Sequence, residues 1–214
     1  MQENLNLPEN PNEYVERMLK PQDVVLALKL VCKDGCSWSQ ASLAAELAMS
    51  ASEVNAGLKR LALATLVEPH ADGRRCSIIR PALREFLIHG LKYVFPAEKG
   101  APAIGMPTAN AGYPLKEFSD PEQTLPVWPV KDGKVKGFSL KPLYPTVAKA
   151  AQNDSELYAY LVLVDALRDT QNEQADIAQV MLRDRLSKPK KRLQSPQAST
   201  ALGGQDGQLD LLAL

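Results

Sequence analysis

The residues with the clearest chemistry in this chain are a short polar face and two arginines downstream of it. Within SASEVNAGLKRLAL, Ser52, Asn55 and Lys59 recur at three- and four-residue spacing, so a helix carries them on one face. The Asn55 carboxamide can make a bidentate contact to adenine, the Ser52 hydroxyl can reach a base edge or a phosphate, and the Lys59 ammonium can meet guanine or a phosphate oxygen. Arg74 and Arg75 follow in the turn ADGRR, where a guanidinium can reach phosphate or enter a narrow minor groove. All of this is the chemistry of recognition.

Residues for bond-breaking chemistry are sparse. No glycine-rich phosphate loop, HExxH, nucleophile elbow or paired-aspartate metal pattern is present, and His70 and His89 are the two histidines available to a triad. Cys32 and Cys36 give one short thiol spacing where zinc knuckles use paired ones. The expectation is no catalytic residue, no metal and no cofactor.

The elements that must hold the polar face are read from apolar spacing. Pro21 suits the first turn of a helix carrying Val24, Val25, Leu28, Val31 and Cys32 until Asp34-Gly35 stops it. An extended piece around Cys36, Ser37 and Trp38 leads to a second helix with Leu43, Ala44 and Leu47 on one face. Met49-Ser50 turns the chain, and Ser50 or Ser52 caps a third helix whose Val54, Leu58 and Leu61 face the core, leaving Ser52, Asn55, Ala56 and Lys59 outside and Arg60 at the flank. Gly57 inside that helix costs about 1 kcal/mol against Ala, which calls for close packing or a close approach to DNA. LVEPHADGRRCSII reads as two strands joined by an Asp-Gly turn, and Pro81 begins a fourth helix ending at Phe95-Pro96.

Between Pro96 and Pro129, seven prolines fall within 34 residues and no period survives, so the segment is expected to be irregular and to wrap over a folded surface with Met106, Tyr113, Leu115 and Trp128. A hairpin is expected at Val127 to Leu140 around Asp132-Gly133. Asp154 caps an apolar helix, LYAYLVLVDAL, and a last helix carries Ile177, Val180, Met181 and Leu186. The resulting divisions are an N-terminal arm over 1–20, a compact unit over 21–95, a proline-rich segment over 96–150, a helical region over 151–186 and a basic tail over 187–214. The expected class is mainly α with small β-hairpins.

The pattern SLAAELAMSASEVNAGLKRLALATLVEP followed by DGRRCSII resembles the winged helix-turn-helix domain of MarR-type bacterial transcription regulators, over about a third of the chain. The resemblance implies that the second helix crosses the DNA backbone, the third enters the major groove, and the hairpin wing touches phosphates or the minor groove. It implies DNA contacts from Ser50, Ser52, Asn55, Ala56, Lys59, Arg60, Arg74 and Arg75. It would also set Cys76 beside the Cys36 segment, so that a thiol cluster with His70 is conceivable. Winged helices also serve as protein-interaction modules, and nine basic against seven acidic residues between Pro21 and Phe95 is a thin margin for DNA. Glu53 would oppose phosphate unless it caps the third helix.

At the end of the chain, Gln208-Leu209-Asp210-Leu211-Leu212 resembles the short peptide with which bacterial polymerases and repair proteins bind the replication sliding clamp. That implies a glutamine anchor and three buried leucines; the other reading is an apolar cap folded back on the body. Six basic residues against Asp184 between Arg183 and Arg192 supply phosphate attraction or a solvated tether.

The whole chain is 214 residues, 45% hydrophobic and 23% charged, with 25 basic and 25 acidic residues, so it is an ordinary globular composition without a global basic excess. No apolar run approaches the ~18 residues of a membrane span, and three cysteines favour a reducing compartment, so the expected setting is the cytoplasm. These readings imply a repressor on duplex DNA, with the helices Ser155 to Leu167 and Glu173 to Leu186 as dimer elements of a homodimer. The competing classes are an adaptor that docks on the clamp and an accessory or antitoxin subunit.

Overall fold

The computed structural model describes residues 17–34, 36–71, 75–120 and 122–187. The described chain is mainly helical, with one two-stranded hairpin and one three-stranded sheet. No helix among the described residues is long and apolar enough to cross a membrane.

Helix α1 spans Pro21–Cys32, with proline at its start and the Asp23 carboxylate accepting the Lys20 backbone N–H at 2.8 Å. Every residue from Asp23 to Cys32 is buried, so α1 is the central post of the N-terminal half rather than a surface helix. Residues 36–39 join no strand, and Ser39 caps α2 (Gln40–Leu47) by accepting the Ser42 N–H at 3.1 Å. Ala48 takes a left-handed conformation (φ 51°) that ends α2, and Ser50 caps α3, Ala51–Leu63. Strands β1 (Val67–Pro69) and β2 (Cys76–Ile78) pair antiparallel, Val67 opposite Ile78 and Pro69 opposite Cys76. Helix α4 runs in three parts, Arg80–Glu85, a π-turn at Phe86–Gly90 and Leu91–Val94.

The proline-rich stretch is not irregular. It contains β3 (Lys99–Pro107), two 3₁₀ turns at Ala109–Ala111 and Leu115–Phe118, and β4 (Pro126–Pro129). The prolines sit where a strand tolerates a missing N–H: Pro126 and Pro129 bound β4, Pro107 ends β3, and Pro102 follows an interruption of register after Lys99. The expected hairpin at Val127 to Leu140 is also replaced. Strands β4 and β5 (Val135–Leu140) both run antiparallel to β3 and lie parallel to each other, so the three strands close on themselves. Glycine permits that closure: a Cβ on Gly105 would fall 2.0 Å from the Trp128 carbonyl oxygen, and one on Gly137 would fall 1.8 Å from that of Leu125.

Helices α5 (Val147–Gln152), α6 (Ser155–Arg168) and α7 (Ala175–Ser187) complete the fold. Asp154 caps α6 by accepting the Glu156 and Leu157 N–H groups. Residues 159–168 are buried throughout, so α6 is a core helix of this chain; α7 keeps an outward side with Val180 64% exposed. One apolar core runs from Val24 through Leu91 to Leu186. Two polar clusters tie its parts. Lys29 of α1 pairs with Asp154 at 2.7 Å and with Glu46 of α2. The fully buried Asp165 accepts from Thr108 Oγ1 (2.8 Å), Trp128 Nε1 (2.7 Å) and Arg168 Nη1 (2.6 Å), fastening the β ring to α6. Burial pushes its carboxyl up, against the pull of Arg168 and the neutral donors.

Candidate nucleic-acid interface

Helix α3 divides its residues as its period demands. Val54, Gly57 and Leu61 are buried, Leu58 is half-buried, and Ser52, Asn55 and Lys59 are exposed, with Ala56 half-buried between them. Asn55 and Lys59 line a groove of about 160 Å³ together with Gln40 at the start of α2 and with Pro69, Arg75 and Cys76 of the hairpin. Its floor is Leu58, Ala62 and Val67. Three elements therefore place a carboxamide pair, an ammonium and a guanidinium around one apolar trough. Such a trough can seat deoxyribose faces while its polar edges meet phosphates and bases.

Arg60 is not at the flank of that face. It is 6% exposed, and its guanidinium holds Asp23 of α1 in a bidentate pair, Nε–Oδ2 at 2.7 Å and Nη2–Oδ1 at 2.6 Å. The cause is helical phase: Arg60 lies three residues after Gly57 and one before Leu61, on the side turned to α1, and Asp23 raises its already high pKa. Gly57 serves the same contact, since a Cβ there would meet Asp23 Oδ1 and Leu26 Cδ2, each at 2.9 Å. Its role is close helix packing. Arg60 is thus held in a structural ion pair, and among the described residues the exposed cations of this surface are Lys59 and Arg75.

Ser50 and Glu53 are occupied by the helix they start. The Ser50 hydroxyl accepts the Glu53 N–H at 3.1 Å, and Glu53 Oε2 accepts the Ser50 N–H at 3.0 Å. Its other oxygen accepts the Tyr144 hydroxyl at 2.7 Å, from a residue ninety-one positions away. That hydrogen bond, with the Ser50 backbone bond, holds the Glu53 carboxyl below its usual range. Thr146 Oγ1 donates to the Leu47 carbonyl at 2.7 Å, so the segment before α5 clasps the α2–α3 corner from outside. Neither Tyr144 nor Gln40 was marked by sequence. No local pattern connects Tyr144 to Glu53.

The three thiols do not form a metal set: Cys32 is buried, Cys36 exposed and Cys76 half-buried, and no group of three ligating side chains among the described residues is arranged to hold a metal ion. Burial pushes the Cys76 thiol up to about 11. Trp38, in the expected extended piece, packs half-buried against the core from unpaired backbone. Arg74, the basic run from Lys188 to Arg192 and the peptide Gln208, Leu209, Asp210, Leu211 and Leu212 lie outside the described residues. No family model matches the chain, and neither a curated protein nor a solved structure matches it.

Proposed function

We propose that this chain is a DNA-binding transcriptional regulator of winged helix-turn-helix type, acting as a repressor. In this reading α3 enters the major groove, the β1–β2 hairpin is the wing, and one strand of the duplex passes along the groove between them. The observation that carries it is the meeting of Gln40, Asn55, Lys59 and Arg75, from three separate elements, around one groove beside an exposed helix face. Glu53, at the start of the same helix, is held by Ser50 and Tyr144 and keeps its charge. Asn55 reads a base, Lys59 and Arg75 bind backbone, and Ser52 reaches whichever is nearer. Two copies would meet a two-fold operator, with the exposed side of α7 as the dimer surface.

An adaptor reading has one observation of its own: the groove floor of Leu58, Ala62 and Val67 is apolar enough to seat a peptide. Single substitutions separate the two. For a DNA reader, Lys59→Ala weakens binding to every duplex alike and reduces the salt slope by about 1. Asn55→Ala costs about 1–3 kcal/mol on the preferred site and little elsewhere. Unchanged binding in both variants sinks the reader and leaves the adaptor.

A further inference from the structure

A larger cavity, about 340 Å³, lies beside the groove and shares Arg75 and Cys76 with it. Its walls come from the end of α1, from the segment before α2 and from the hairpin. Trp38 and Ile78 give it an apolar side, Lys33 and Arg75 give it cationic donors, and His70 and Ser77 give it a hydrogen-bonded polar pair. Among the described residues that line it, the acid is Asp34, which is held by Arg80 at 2.7 Å, and Lys33 shares its charge with Glu46 at 2.7 Å. His70 Nε2 and Ser77 Oγ are 2.6 Å apart, which sets the imidazole and the hydroxyl on one wall.

An ammonium, a guanidinium, an imidazole and a hydroxyl around one space match the oxygens of a phosphate monoester, and a half-buried indole offers a face on which a flat ring stacks. The volume falls at the small end of ligand cavities, on the order of 300–1,000 Å³, so it takes a single nucleotide-sized molecule. We propose that this cavity binds a small organic phosphate, its ring against Trp38 and its phosphate toward Arg75, Lys33 and His70. Binding draws the Arg75 guanidinium out of the neighbouring groove, so the ligand weakens DNA binding. That second half rests on the DNA-binding reading; the site itself does not.

Tryptophan fluorescence tests the site without DNA, because Trp128 is 1% exposed with its N–H on Asp165 while Trp38 faces the cavity. Titration of the full chain with adenosine monophosphate produces a saturable quench that disappears in Trp38→Phe. His70→Gln and Lys33→Gln each raise the half-saturation concentration about tenfold, with melting curves confirming that both variants fold. No saturable quench in the folded wild type, or an equal quench by adenosine without its phosphate, overturns the site. In a separate anisotropy titration, saturating adenosine monophosphate raises the Kd for duplex DNA, and an unchanged Kd overturns the coupling. Absence of DNA binding without nucleotide defeats the DNA reading alone, since the quench is judged independently.

Discussion

Arg60 and Asp23 carry the most consequence for a single pair of side chains. Both are buried, and each satisfies the other with two short hydrogen bonds between α1 and α3. Removing one partner strands a charge in the core, so Asp23→Ala should lower the unfolding free energy by about 3–5 kcal/mol. Replacing both, Asp23→Leu with Arg60→Met, should cost much less, chiefly the lost Lys20 cap worth about 1 kcal/mol. Urea denaturation of the three proteins decides it: a single variant within about 1 kcal/mol of wild type contradicts a buried ion pair. The sequence placed Asn55, Lys59 and Ser52 outside correctly because their spacing alone sets that face. It misplaced Arg60 because charge suggests exposure, and only the distant Asp23 explains its burial.

Among elements, the α2–α3 corner and the segment before α5 hold each other. Tyr144 donates to Glu53 and Thr146 to the Leu47 carbonyl. Tyr144→Phe should cost on the order of 1 kcal/mol at neutral pH. The sign of its pH dependence follows from Glu53, whose folded pKa lies below its ordinary value near 4.5. Stability gained that way is present above the unfolded value and disappears as pH falls through the lower folded one. The gap between wild type and Tyr144→Phe should therefore close on acidification; a gap unchanged into strong acid shows that the hydroxyl is not bonded to a carboxylate. The helices were legible in sequence because caps and apolar periods are local signals, as at Pro21, Ser50 and Asp154. The β ring was not. Its strands are short, their prolines occupy ends and an interruption of register, and its closure depends on how close Gly105 and Gly137 let other backbone come.

For the whole molecule, one core joins what the sequence divided at Pro96 and again near residue 150. Lys29 reaches from α1 to the cap of α6, and Arg168 on α6 donates to the Phe95 and Pro96 carbonyls at the end of α4. The described parts should therefore unfold together. Single-tryptophan variants, Trp38→Phe and Trp128→Phe, report on the N-terminal half and the β ring separately, and their urea transitions should share one midpoint after correction for each substitution's effect on stability. Two separated midpoints would mean independent units. Function belongs to this scale too, because the proposed reading surface takes residues from α2, α3 and the hairpin, held in place by a clasp from the segment before α5. The most direct measurement is the affinity of the wild-type chain for random duplex DNA by fluorescence anisotropy across a salt series. The account predicts binding at low salt, with log K falling linearly against log[salt] at a slope that counts several phosphate contacts. No binding at low salt, or an affinity indifferent to salt, would contradict it.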